Sequence, residues 1–119
     1  VSRSDIERLG DVLAALDRCL TFRTHLDADD VVLADMALDA ILRNLAVAGE
    51  AAKALSQEMR AEFAATSWHS IAGLRNIVIH EYFRIDTAII VDVVDNHAAP
   101  LADAIRRRLT AITEVAGDE

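Results

Sequence analysis

Apolar residues recur at steps of three and four through almost the whole chain, which is the spacing of one face of an α-helix. Ile6, Leu9, Leu13, Leu16 and Leu20 form the first stripe. It predicts a helix from about residue 5 to the low 20s, with Ser4 as N-cap and Glu7 completing a capping box. Residues 24 to 30, Thr-His-Leu-Asp-Ala-Asp-Asp, read as a turn and a helix start. A long helix is then expected from about Asp30 to Ser56, with Leu33, Met36/Ala37, Ala40/Ile41 and Leu45 on its apolar face. Ala48, Ala51/Ala52 and Leu55 continue that face with small residues, which lets a neighbouring helix come close. Gly49 costs roughly 1 kcal/mol there relative to alanine, with close packing of another backbone as the expected compensation and a local kink as the alternative.

Gln57 to Ser67 reads as a short helix and loop, closed by Thr66 or Ser67 as the next N-cap. A third main helix follows from Trp68 to about Ile79. Asp86 caps a fourth from about Thr87 to Asn96, which Pro100 ends or kinks. The last stripe is Leu101, Ile105, Leu109, Ile112 and Val115. The expected architecture is all-α: one domain over residues 1–119, an antiparallel up-down bundle of four main helices, the last interrupted near Pro100.

Composition agrees with this picture. Twenty-two of 119 residues are alanine, and four glycines and one proline are too few for a turn-rich β domain. The formal net charge of −8 excludes a general nucleic-acid binder, because counterion release needs a basic surface. Any nucleic-acid contact has to be local. Eleven of the twelve cations are arginine, whose forks match phosphate oxygens, and Lys53 is the only lysine. Arg106-Arg107-Arg108 reads as a solvated face near a C-terminal helix end, with RNA backbone contact as the alternative. Cys19 is a single cysteine, which fits a reducing cytoplasm and a buried small hydrophobe. Val1 to Gly10 holds no apolar signal core, and no window reaches the roughly 18 apolar residues of a membrane span. Asp27, Asp29 and Asp30 lack the glycine and distal glutamate of a calcium loop, so helix capping is the better reading. His69 and His80 share a helix face but stand about 16 Å apart along it, too far for a shared metal.

The candidate chemistry lies between Arg75 and Tyr82: Arg-Asn-Ile-Val-Ile-His-Glu-Tyr. Polar groups flank three β-branched residues that suggest burial. On a regular helix Asn76 and His80 sit within about 40° of one another, while Arg75 and His80 are about 140° apart. Either the helix ends near His80 and the ring turns back, or the arginine meets a histidine from a second copy at a two-fold axis. Such a set suits phosphodiester cleavage in RNA. A neutral imidazole takes the 2′-hydroxyl proton, an imidazolium protonates the leaving oxygen, and a guanidinium holds the pentacoordinate phosphate. Asn76 is placed to orient the ring or bond a phosphate oxygen. The reaction needs no metal, and no cofactor is implied.

The Arg-x4-His-x-Tyr segment resembles the signature of the HEPN superfamily, and specifically of HepT-like toxins. Ala40-Ile-Leu-Arg-Asn-Leu followed by Gly49-Glu50-Ala-Ala is similar to that family's second-helix pattern. Trp68, Ile71-Ala72-Gly73-Leu74-Arg75-Asn76, His80, Tyr82-Phe83 and Ile85-Asp86 match its central pattern in order and spacing. The resemblance spans nearly the whole chain. It implies a HEPN-like fold and a homodimeric, metal-independent endoribonuclease toxin of a type VII-like toxin–antitoxin pair. It also implies a nucleotidyltransferase-fold antitoxin that transfers AMP to the motif tyrosine, here Tyr82. Arg75 and His80 map to the catalytic pair and Asn76 to the polar residue after the arginine. Glu50 and Glu81 are candidate supports, and Glu81 stands where glycine is usual.

Each of these residues has a plainer reading. His80 also fits a satisfied helix-end histidine, Arg75 an ion-pair partner of Glu50, Asn76 a helix-end hydrogen bonder and Tyr82 a core ring. Trp68 reads first as a core anchor and second as a stacking surface. The functional alternatives are a catalytically silent module that docks a nucleotidyltransferase or binds a nucleotide, and a plain structural interaction domain.

Overall fold

A computed structural model describes residues 2–80 and 86–118, with side chains described outside 66, 74–80 and 116–118. Among the described residues every regular element is helical. In chain order they are α1 (Arg3–Arg23), a 3₁₀ turn (Thr24–Asp27), α2 (Val31–Lys53), α3 (Gln57–Ala61), α4 (Ala65–His80), α5 (Thr87–Val93), a π turn (Val94–Ala98) and α6 (Ala99–Asp118).

Helix starts follow local chemistry. The Ser2 hydroxyl accepts from the Asp5 N–H and caps α1, so the cap falls two residues before the expected Ser4. Asp5 stands three residues after Ser2 in the position Glu7 was expected to fill, but its carboxylate bonds Ser56 instead. Asp30, Ser56 and Asp86 each cap the next helix by accepting from N–H groups two or three residues on. Thr66 and Ser67 are not caps. α4 begins at Ala65, and the Ser67 N–H already donates to the Ala64 carbonyl at 3.1 Å.

The core lies between α1, α2, α4 and the α5–α6 segment. Leu9, Val12, Leu16 and Cys19 of α1 meet Ile41, Leu45 and Ala48 of α2, with Ile71 of α4 and Ile90, Val94 and Ile105 closing the other side. All are essentially fully buried. The ends of the predicted stripes lie outside this core. Met36 is 63% and Val115 63% exposed, because α2 begins and α6 ends beyond the packed middle of the bundle.

The interruption near Pro100 takes a specific form. A proline in a helix lacks the N–H for the i→i−4 bond, and the turn just before it widens to π. On an unbroken α-helix Ala102 and Ile105 would sit about 120° and 60° round from Ile90. One extra residue takes back about 100°, so the stripes on either side of the π turn share one face toward the core. Helix therefore continues from Thr87 through Asp118, and Arg106-Arg107-Arg108 falls inside α6 rather than near its end.

Candidate active site

α4 carries the candidate chemistry, and its neighbours fix where it sits. Ile71 is 1% exposed and packs into the core. A Cβ built on Gly49 would meet the Ile71 Cγ2 at 3.8 Å, an ordinary contact. Gly49 therefore faces α4, but the approach is to a side chain, and backbone crowding is not what requires a glycine there. Trp68, in the first turn of α4, donates its indole N–H to the Arg60 carbonyl at 3.0 Å and stands edge-on to Phe63, ring centroids 6.0 Å apart. These contacts make it the expected anchor, half-buried against the core.

The backbone of Arg75, Asn76 and His80 lies in α4, which is helical as far as His80. Only backbone placement is described for these three. Helical register from 75 to 80 puts positions 76 and 80 on a shared face and positions 75 and 80 about 140° apart. Glu81 and Tyr82 lie outside the described residues. Glu50, near the end of α2, is exposed and pairs with Lys53 at 3.5 Å. It also borders a groove between α1 and α2 with Arg8, Arg18 and Asn44.

The arginine run is largely engaged. Arg106 forms a two-oxygen pair with Asp17 of α1 at 2.6 and 2.7 Å, and Arg108 reaches Glu62 at 3.1 Å. Two of its three guanidiniums thus tie α6 to α1 and to the α3–α4 corner.

Sequence reasoning missed Arg60. Its Nη2 donates to the carbonyls of Ala52, Lys53 and Leu55 at 3.0, 3.2 and 3.4 Å, closing the end of α2. Its Nε is buried without a hydrogen-bond partner among the described residues. An arginine in a five-residue helix carries no motif, so only the fold reveals this role.

Comparison with known proteins settles the family. The family model described as "Ribonuclease HepT-like" matches residues 12–115. The chain belongs to the HepT-like ribonuclease family. The match takes in α4 and all the candidate catalytic positions. The chain is 30% identical to "Putative RNase MJ1380" of Methanocaldococcus jannaschii over 79% of its own length and 87% of that protein. It is 32% identical to "Putative RNase MJ0127" of the same organism over 74% of this chain and 73% of that one. "Putative RNase TTE0752" of Caldanaerobacter subterraneus is 36% identical over 56% and 59%. No solved structure matches. Family and relatives together support a ribonuclease-type function for this HepT-like chain. No helix among the described residues is long and apolar enough to cross a membrane.

Proposed function

We propose that this chain is a metal-independent endoribonuclease toxin that acts as a homodimer, with Arg75 and His80 as its catalytic pair and Asn76 beside them. The observation that carries the reading is membership of the HepT-like family over residues 12–115, with Arg75, Asn76 and His80 all on α4. His80 removes the proton from a ribose 2′-hydroxyl. The 2′-oxygen then attacks phosphorus, the bond from phosphorus to the 5′-oxygen breaks, and an imidazolium returns a proton to that oxygen. The products are a 2′,3′-cyclic phosphate and a free 5′-hydroxyl. Arg75 holds the charge on the pentacoordinate phosphate.

The helical register favours a composite site. With α4 regular through His80, one chain presents positions 75 and 80 on different faces. A two-fold axis brings Arg75 of one copy to His80 of the other. The antitoxin is a nucleotidyltransferase-fold protein that silences the toxin by transferring AMP to Tyr82. The competing reading, a silent module that docks such a partner or binds a nucleotide, uses the same residues without turnover.

The test is RNA cleavage in EDTA by protein whose mass shows Tyr82 unmodified. Fragments ending in 2′,3′-cyclic phosphate are expected, together with no cleavage of DNA. Failure to cut total RNA under these conditions moves the assignment to the silent module.

A further inference from the structure

A cavity of about 220 Å³ lies between the end of α2, α3 and the start of α4, lined by Gly49, Ala52, Lys53, Arg60, Trp68 and Ile71, with Ala72 completing it. Three features define what fits it. Its floor is built from small residues, Gly49, Ala52 and Ala72, against a wall formed by Trp68. Lys53, the chain's only lysine, stands at the rim, exposed and paired with Glu50 at 3.5 Å, a contact at the surface that a phosphate can displace.

The volume is below the roughly 300–1,000 Å³ of pockets for drug-sized ligands, so the occupant is one ring-sized group. A flat ring meets the small-residue floor and the indole together. An adjoining negative charge meets Lys53. In a protein of net charge −8 such a local cation matters more than the overall field. Position 75 follows Trp68 by seven residues, about 10 Å along α4 and about 20° round it. The cavity and position 75 thus share one side of the helix.

We infer that this cavity receives one unpaired nucleobase of the RNA substrate, next to the scissile phosphate, with its ring against Trp68 and an adjacent phosphate at Lys53. The inference rests on the ribonuclease reading for its ligand class. A base held here selects single-stranded RNA, since a paired base is not free to enter. Trp68 is fixed by its bond to Arg60, so it is presented without a further ordering cost.

Trp68 is the only tryptophan in the chain, so its fluorescence reports the cavity on one side and the groove lined by Phe63 and His69 on the other. The full-length protein is titrated with 2′-O-methyl hexanucleotides, which bind without being cut, and with versions carrying an abasic site at each position in turn. Saturable quenching is expected, lost at one abasic position with binding weakened about tenfold. Ala72→Leu adds bulk at an exposed helical residue that borders both the cavity and the adjoining groove, and should abolish the quench, whereas His69→Ala changes the groove alone and should leave it; a quench lost in both overturns the cavity assignment. Lys53→Gln should lower the salt dependence of binding by roughly one phosphate contact. Absence of quenching, or quenching that survives Ala72→Leu in protein of unchanged circular dichroism, overturns the inference. Quenching by a nucleotidyltransferase partner but not by RNA also overturns it, since the occupant is then a protein side chain. Because binding is read without turnover, quenching in a protein that cuts no RNA keeps the cavity assignment and removes the catalytic one. Cleavage without quenching does the reverse.

Discussion

The carboxylate of Asp5 accepts two hydrogen bonds from Ser56, from the backbone N–H at 2.9 Å and from the hydroxyl at 2.7 Å. The two residues stand at different helix starts: the Asp5 N–H donates to the N-cap Ser2 of α1, and Ser56 is itself the N-cap of α3, accepting from the Met59 N–H. One side-chain contact therefore joins two helix N-termini. It also holds the corner from which Arg60 and Trp68 are positioned.

Ser56→Ala removes both a cap and a donor to Asp5. A loss of about 1 kcal/mol is expected from the cap, with a further decrease from the lost bond, measured by urea unfolding. A neutral result would mean that the corner is held by other contacts.

Asp5 adds a pH dependence. The Ser56 backbone N–H and then its hydroxyl hold the Asp5 carboxyl below its ordinary value of 3.8, against the opposing effect of burial. A carboxylate with a lowered folded pKa contributes stability above its unfolded pKa and loses it as pH falls through the folded one. Asp5→Ala should lower Tm at neutral pH, and the gap to the unsubstituted protein should narrow as pH drops below about 4. A gap independent of pH would remove the carboxylate from the explanation.

Gly49→Ala tests how α2 meets α4. The added Cβ lands at ordinary contact distance from Ile71, and alanine is favoured over glycine in a helix by about 1 kcal/mol. Tm should rise by about 4 °C. A fall would show that the two helices approach more closely than this.

Cys19 is fully buried and its thiol donates to the Ile41 carbonyl at 3.6 Å. Burial pushes its pKa up to about 12, so almost no thiolate is present at neutral pH. A disulfide reagent should leave the native protein unlabelled for hours and react at once in denaturant. Rapid labelling of native protein would mean that the α1–α2 seam opens readily.

How much of this was written in the sequence depends on the kind of signal. The apolar stripes through Leu9, Leu16, Ile41, Leu45 and Ile105 fix the helices and the core because helical periodicity is a repeated signal. Single caps are weaker guides. Ser2 and Ser4 both precede the first stripe, and only tertiary contact decides, since Asp5 is drawn to Ser56. Thr66 and Ser67 have capping side chains, yet helix formation began earlier at Ala65. Pro100 announces a break, but its form depends on bringing Ile90 and Ile105 onto one face. Of the site, the motif places Arg75, Asn76 and His80 on one helix, and α4 carries all three. Arg60 left no trace because its role is to satisfy carbonyls of another helix.

The central claim is that Arg75 and His80 act together across two copies of the chain. The decisive measurement is RNA cleavage in EDTA by Arg75→Ala, by His80→Ala, and by the two mixed in equal amounts after unfolding and refolding together. Each variant alone should be inactive. In the mixture half the dimers are mixed, and each of these holds one site with both groups intact, so about a quarter of the original activity should return. Activity that survives either substitution alone would place the chemistry elsewhere, and a mixture as inactive as its components would contradict the shared site.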